Sequence, residues 1–259
     1  MIPKIIHYCW LSDDKFPTQI QKCIDTWKVV LPDYEFKLWD TTTLNLEDYI
    51  WIKQAFETKK YAFAADYIRL YAVYHYGGIY LDIDVEVLKS FNNLLHLPYF
   101  IGTEGNNIIE AGAFGAEKGT PWLKDCLNHY NNKTFINQDG SLNTMTLPNI
   151  MIKQVSATRN ISTKPENEIL RFLENGDVTS DLFLFPKEYF CAKNLGTGQL
   201  ENTAKTYCIH HFAMSWIPMK YKFLPNLKRQ LMSAFGVKTI TFLINFLNLK
   251  FIKDSFYKK

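Results

Sequence analysis

The chain has 259 residues and a formal charge of +3, with 47% hydrophobic, 15% aromatic and 21% charged residues. This composition excludes a disordered or collagen-like polypeptide, and a chain this long can bury a full core without staples. Charge is uneven: Ile217 to Lys259 carries nine Lys/Arg against one acid, Asp254, and the remainder carries 20 basic and 25 acidic residues, which argues against a general nucleic-acid binder.

The start, Met1-Ile2-Pro3-Lys4-Ile5-Ile6, lacks the apolar run and cleavage site of a signal peptide. No stretch approaches the roughly 18 apolar residues of a membrane span. Lys4 to Trp10 reads as a buried first strand, Gln19 to Val29 as a helix, and Tyr34 to Trp39 as a second strand. A strand–helix–strand opening predicts an α/β sheet that binds ligands at its strand ends. Lys60 to Tyr76 is Ala-rich and aromatic almost all round, which predicts a buried helix stopped by Gly77-Gly78. Ile79 to Val87 then reads as one continuous strand. Further strands are expected at Tyr99–Ile101, Ala111–Ala116, Leu182–Pro186 and Thr206–His211. Helices are expected at Pro121–Tyr130, Leu147–Thr158 and Asn167–Leu173. The five cysteines (Cys9, Cys23, Cys126, Cys191, Cys208) show no CxxC spacing, so no zinc knuckle or redox motif is expected and a reduced compartment is.

Chemistry concentrates in Gly77-Gly78-Ile79-Tyr80-Leu81-Asp82-Ile83-Asp84. On a strand, Asp82 and Asp84 project to one side while Leu81 and Ile83 enter the core. Two adjacent carboxylates repel unless a cation lies between them or they share a proton, and a divalent ion bound by oxygen ligands and substrate phosphates meets that need. The bland alternative is a solvated acidic face. One helix earlier, Asp66 and Arg69 are three residues apart on one face of an otherwise apolar segment. A local ion pair is the simple reading; a charged pair aimed at sugar hydroxyls is the functional one.

These residues carry a resemblance. Ala65-Asp66-Tyr67-Ile68-Arg69-Leu70 followed by Gly77 to Asp84 resembles the DxD sugar-binding region of glycosyltransferase family thirty-two. That family includes bacterial capsule and lipopolysaccharide sugar transferases and is related to the clostridial glucosylating toxins. Ile2 to Trp10 is similar to its first strand, and His210-His211-Phe212-Ala213-Met214-Ser215-Trp216 to its closing element. The resemblance implies a GT-A (Rossmann-like, nucleotide-sugar-binding) α/β fold over residues 1–216. It also implies a nucleotide-diphosphate sugar donor, above all a UDP-sugar, and retention of configuration. Asp84 would bind Mn²⁺ or Mg²⁺, and Asp82 the ribose and the metal. Asp66 and Arg69 would hold the donor sugar, and Trp10 would stack on the base. His211, or alternatively His210, and Ser215 would complete the metal–diphosphate site, with Trp216 closing over it. For both tryptophans the competing reading is core packing. Glu110 is a candidate catalytic carboxylate, whereas Glu104 reads as a surface acid; front-face substitution and double displacement both stay open.

A rival reading takes Asp82-Ile83-Asp84-Val85 as the nucleophile motif of a haloacid-dehalogenase-type phosphatase, with Gly176 to Asp181 as its second acidic motif. Against it, that nucleophile strand should open the fold, and Arg171 to Asn175 looks like a helix end. A non-catalytic carbohydrate-binding protein is the third class. Residues 217–259 form the basic tail. From Lys238 to Leu249 the polar residues Lys238, Thr241, Asn245 and Asn248 make one helical stripe among apolar neighbours. The expectation is a short amphipathic helix at an anionic membrane surface, on the cytoplasmic face, near a surface-polysaccharide or lipid-linked oligosaccharide acceptor.

Overall fold

The computed structural model describes residues 1–174, 181–194, 196–213 and 219–246. The chain divides into two compact units, Met1–Ala192 with Asn202–His211, and Lys193–Glu201 with Phe212–Lys259. The boundary expected at Trp216 and Ile217 lies outside the described residues.

The first unit is mixed α/β, the class expected. It begins with strand β1 (Ile5–Cys9), helix α1 (Thr18–Val30), strand β2 (Glu35–Trp39), and helices α2 (Ile50–Glu57) and α3 (Tyr61–Tyr76). Strands β3 (Gly78–Leu81), β4 (Val85–Val87), β5 (Tyr99–Gly105) and β6 (Ile108–Ala116) follow. Next come helices α4 (Pro121–Asn128) and α5 (Leu147–Val155), strand β7 (Asn160–Thr163), helix α6 (Glu166–Glu174), strand β8 (Asp181–Leu184), helix α7 (Lys187–Phe190) and strand β9 (Cys208–His210). A five-stranded sheet has the order β2-β1-β3-β6-β5, with the first three strands parallel and β6 and β5 antiparallel. The carboxyl ends of β1 and β3 and the amino half of β6 therefore share one sheet edge.

Helix α3 buries Phe63, Ala64, Ile68, Leu70, Ala72 and Val73, so its low amphipathicity reflects burial on most sides. It stops at Gly77, whose φ of 69° is left-handed. At Gly78, with φ 105°, an added Cβ would lie 2.7 Å from the Ile5 carbonyl oxygen, so the pair of glycines lets β3 enter close beside β1. The expected strand from Ile79 to Val87 is broken. After Leu81 the chain turns, the Val85 amide donating to the Asp82 carbonyl at 2.9 Å, and β4 leaves the main sheet to pair with β9. Aspartates favour such turns, and Trp27 of α1 fixes the departure by donating its indole N–H to the Val85 carbonyl at 2.7 Å.

His7 shows how the core beneath this edge is wired. Its Nε2–H donates to the Gly77 carbonyl at 2.8 Å while Nδ1 accepts the Trp39 indole N–H at 3.1 Å. A second ring proton would confront the Trp39 donor, and burial lowers the pKa of His7 to about 4. The unfolded chain binds that proton near pH 6.5 and the folded chain does not, so stability is full above pH 6.5 and falls as pH drops toward 4. The loss from His7 is expected to reach about 3 kcal/mol. Urea unfolding from pH 7.5 to 4.5 should show a shallower decline in His7→Gln than in wild type; parallel curves would contradict this assignment.

In the second unit, helices α8 (Met219–Phe235) and α9 (Val237–Phe246) pack against one another. Met232 and Ile240 are buried, whereas Phe235, Phe242 and Leu243 stay exposed, Phe242 at 66%. Among the described residues, no helix is long and apolar enough to cross a membrane.

Candidate active site

The turn after β3 sets both acidic side chains of the DxD at the sheet edge. Asp82 still makes a ladder bond, its amide donating to the Gly112 carbonyl at 2.7 Å. Its carboxylate is held from two sides: Arg69 approaches both oxygens at 3.1 Å, and the Tyr80 hydroxyl donates to Oδ1 at 3.1 Å. Asp84, two residues on, is buried. The two aspartates come together through a turn and not through strand alternation.

Arg69 is buried on α3 and joins three elements. It pairs with Asp66 at 3.2 Å on its own helix, with Asp82 across the sheet edge, and donates to the Ala111 carbonyl of β6 at 2.8 Å. Its guanidinium also lies 4.8 Å from the centre of the Tyr80 ring. Asp66 and Arg69 are thus more than a local helix pair, because the same cation serves the DxD. Burial pushes the Asp66 carboxyl up to about 7, Arg69 opposing and Asp82 adding to the shift. Burial likewise raises Asp82, against the pull of Arg69 and His210.

Strand β9 supplies His210, and His211 follows directly after it. His210 pairs with Val85 in register, which brings its Nε2 to 3.4 Å from Asp84 and 3.9 Å from Asp82. His211 faces the other way, its ring nitrogen 2.8 Å from Glu86, although its amide donates to the Asp84 carbonyl at 3.0 Å. The structure therefore brings His210, the alternative, to the DxD, and turns the first choice, His211, to Glu86. Ligand atoms of Asp82, Asp84 and His210 lie within 4.8 Å of one another, and two carboxylates with one imidazole suit a divalent metal ion. Burial opposes charge on His210, but Glu110 and Asp84 outweigh it and raise its pKa well above the usual imidazole range. A metal ion bound at Nε2 would displace that ring's second proton.

Glu110 is completely buried on β6, so it is not open to a sugar. It accepts from His210 Nδ1 at 3.0 Å and from the Gly112 amide at 2.6 Å. Burial alone would raise its carboxyl, but the charge and hydrogen bond of His210 hold it below the usual range. Glu104, read from the sequence as a surface acid, is half-buried on β5 near Glu110 and His210. Burial and the neighbouring Glu110 push its pKa up to about 8. The hairpin through Gly105-Asn106-Asn107 creates that proximity, and no local signal announces it.

Trp10 extends β1 by one residue at the same sheet edge and lies outside the core cluster. Its indole N–H donates to the Asp14 carbonyl at 2.9 Å, and its ring packs against Phe16 with centroids 5.2 Å apart. Ser215 and Trp216 lie outside the described residues, as does Gly176 to Ser180 of the rival phosphatase motif. That rival is disfavoured by Asp82 itself, since both carboxylate oxygens are engaged by Arg69 and one also by Tyr80. Two strands also precede β3, and α6 runs helical to Glu174 ahead of the second motif.

The chain is 34% identical over 129 residues to inositol phosphoceramide mannosyltransferase 3 of Schizosaccharomyces pombe, covering 47% of this chain and 35% of that protein. It is 32% identical over 146 residues to the mannosyl phosphorylinositol ceramide synthase SUR1 of Saccharomyces cerevisiae, 52% of this chain and 37% of that one. The chain thus spans about a third of the length of these curated relatives. Among solved structures, the PaToxG glycosyltransferase is similar over 60% of this chain and 68% of that chain, at 22% identity and a TM-score of 0.48. Residues 17–101, which include α3 and the whole DxD turn, match the family described as the glycosyltransferase sugar-binding region containing DXD motif.

Proposed function

We propose that the chain is a retaining, metal-dependent glycosyltransferase that moves a hexose or N-acetylhexosamine from a nucleotide-diphosphate sugar to a saccharide or lipid-linked saccharide. The observation that carries this is the convergence of Asp82, Asp84 and His210 beside the Asp66–Arg69 pair, at one sheet edge of a DXD sugar-binding region. Asp84 and His210 are the residues to hold Mn²⁺ or Mg²⁺, with Asp82 shared between the ion and the ribose. The bound ion supplies Lewis-acid stabilisation of the charge that develops on the departing diphosphate. Arg69 fixes Asp82 and positions the sugar with Asp66. Trp10 stacks on the base; Ser215 and Trp216, expected on the diphosphate side, lie outside the described residues. With Glu110 sealed inside, front-face substitution fits the retaining chemistry better than a Glu110 nucleophile.

UDP-galactose, UDP-glucose and UDP-N-acetylhexosamines are the first donors to test, and the mannosyltransferase names of the relatives add a nucleotide-activated mannose. A thermal-shift screen with and without Mn²⁺ is expected to show one nucleotide sugar raising the melting temperature only when metal is present. No shift with any of them would sink the reading. Trp10→Ala is expected to weaken nucleotide binding by about 1–3 kcal/mol while remaining folded. Equal affinity in the folded variant removes the stacking role.

The acceptor reading includes a membrane. Exposed Phe235, Phe242 and Leu243 on a cationic tail support a peripheral helix at an anionic, cytoplasmic-face bilayer, where surface-polysaccharide precursors on lipid carriers would be met. Each Lys or Arg near such a surface contributes about 1 kcal/mol. The full chain is expected to sediment with anionic liposomes at low salt, and Phe242→Glu with Leu243→Glu to abolish this. A wild-type protein that stays in the supernatant would favour a helix docked on protein.

A further inference from the structure

Glu110 is completely buried, yet it sits at the centre of the candidate metal cluster's wiring. Its Oε1 receives two hydrogen bonds, from His210 Nδ1 at 3.0 Å and from the Gly112 amide at 2.6 Å. The carbonyl of the same Gly112 accepts the Asp82 amide at 2.7 Å. One short stretch of β6 therefore fixes both the histidine and the start of the DxD turn. Space is equally constrained. A Cβ on Gly112 would lie 2.7 Å from His210 Cε1 and 2.8 Å from both His210 Nδ1 and Glu110 Oε1. Gly112 has no left-handed backbone, so the close approach of the ring is the reason for glycine here.

We propose that Glu110, seated by Gly112, is a positioning residue: it holds the Nδ1–H tautomer of His210 so that Nε2 faces Asp82 and Asp84 as a metal ligand. The proposal rests on the metal reading above and adds to it the residue that makes His210 competent. It also replaces the role of Glu110 as a reacting carboxylate. A ligating imidazole anchored through its other nitrogen to a carboxylate keeps its ring orientation and gains basicity, and loss of such an anchor typically costs about 10–100-fold in metal affinity.

The test titrates Mn²⁺ alone into the full chain, reading free ion by electron paramagnetic resonance. Wild type, Asp84→Ala, His210→Ala, Glu110→Gln, Gly112→Ala and the double variant Glu110→Gln/His210→Ala are compared after matching their circular dichroism. Glu110→Gln and Gly112→Ala are expected to bind Mn²⁺ about 10–100-fold more weakly. UDP binding measured without metal should stay within about twofold of wild type, since Glu110 acts only through the ion's ligand. The double variant should bind no more weakly than His210→Ala alone. Wild-type Mn²⁺ affinity in Glu110→Gln, or an additive loss in the double variant, overturns the positioning role and leaves the metal site standing. A wild-type protein that binds no Mn²⁺ overturns the metal reading and this role together. If the Glu110 variants do not fold, nitrogen NMR of wild-type protein labelled at histidine decides. With diamagnetic Cd²⁺ added, Nε2 of His210 should shift while Nδ1 keeps its proton; a shift at Nδ1 overturns the proposal.

Discussion

Asp84→Ala is expected to keep the wild-type fold and to lose about 100-fold or more of metal-dependent nucleotide-sugar turnover. Asp84 is buried in the turn after β3, 3.4 Å from His210, and stands beside Asp82 at a crowded anionic edge. Removing it relieves repulsion from Asp82 and also takes a carboxylate partner from His210, two changes of opposite sign in the metal-free fold. The same change deletes one of three convergent ligand side chains, so charge on the departing diphosphate is no longer offset. Asp82→Asn should be nearly as damaging, because a neutral amide leaves Arg69 without its full partner. The measurement is turnover under chelator-controlled Mn²⁺, alongside thermal melting. Normal turnover in folded Asp84→Ala would remove the metal from the reaction.

The elements legible in the sequence are those whose causes are local. Helix α3 announces itself through an Ala-rich apolar segment closed by Gly77-Gly78, and it ends there. Pro121 and Pro148 mark the first turns of α4 and α5, where a missing amide costs nothing. The DxD is equally plain as a motif, but its conformation is not. Whether Asp82 to Asp84 continues a strand depends on β4 leaving to pair with β9, far downstream, and on the Trp27 indole that holds Val85. The choice between His210 and His211 has the same origin. Alternation says only that adjacent residues diverge, and the Val85–His210 register decides which of them meets the DxD. Helix α2 has no such local signal, because its eight residues gain their stability from burying Trp51, Ile52 and Ala55 and not from any cap or repeat. Glu104 and Glu110 meet through a hairpin, so their shared environment is a tertiary property.

Arg69→Leu should be the most destabilising single change in the first unit's polar interior, costing about 3–5 kcal/mol at pH 8. The guanidinium stands between Asp66 and Asp82 and satisfies the Ala111 carbonyl, so leucine leaves two carboxylates facing each other with no cation between them. The deficit should depend on pH with a definite sign. Burial already pushes Asp66 up to about 7 with Arg69 in place. Without the cation it moves further up, so the folded variant binds a proton over a range where the unfolded chain has released it. Stability then falls as pH rises through and above 7, and the variant should lie closer to wild type at pH 5.5 than at pH 8. Adding Asp66→Asn removes one of the unpaired charges and should recover part of the loss at pH 8 while changing little at pH 5.5. Urea denaturation of the three proteins at both pH values reads these terms directly. An Arg69→Leu protein as stable as wild type at pH 8 would mean that the carboxylates find water or other partners, and that Arg69 belongs to sugar binding alone.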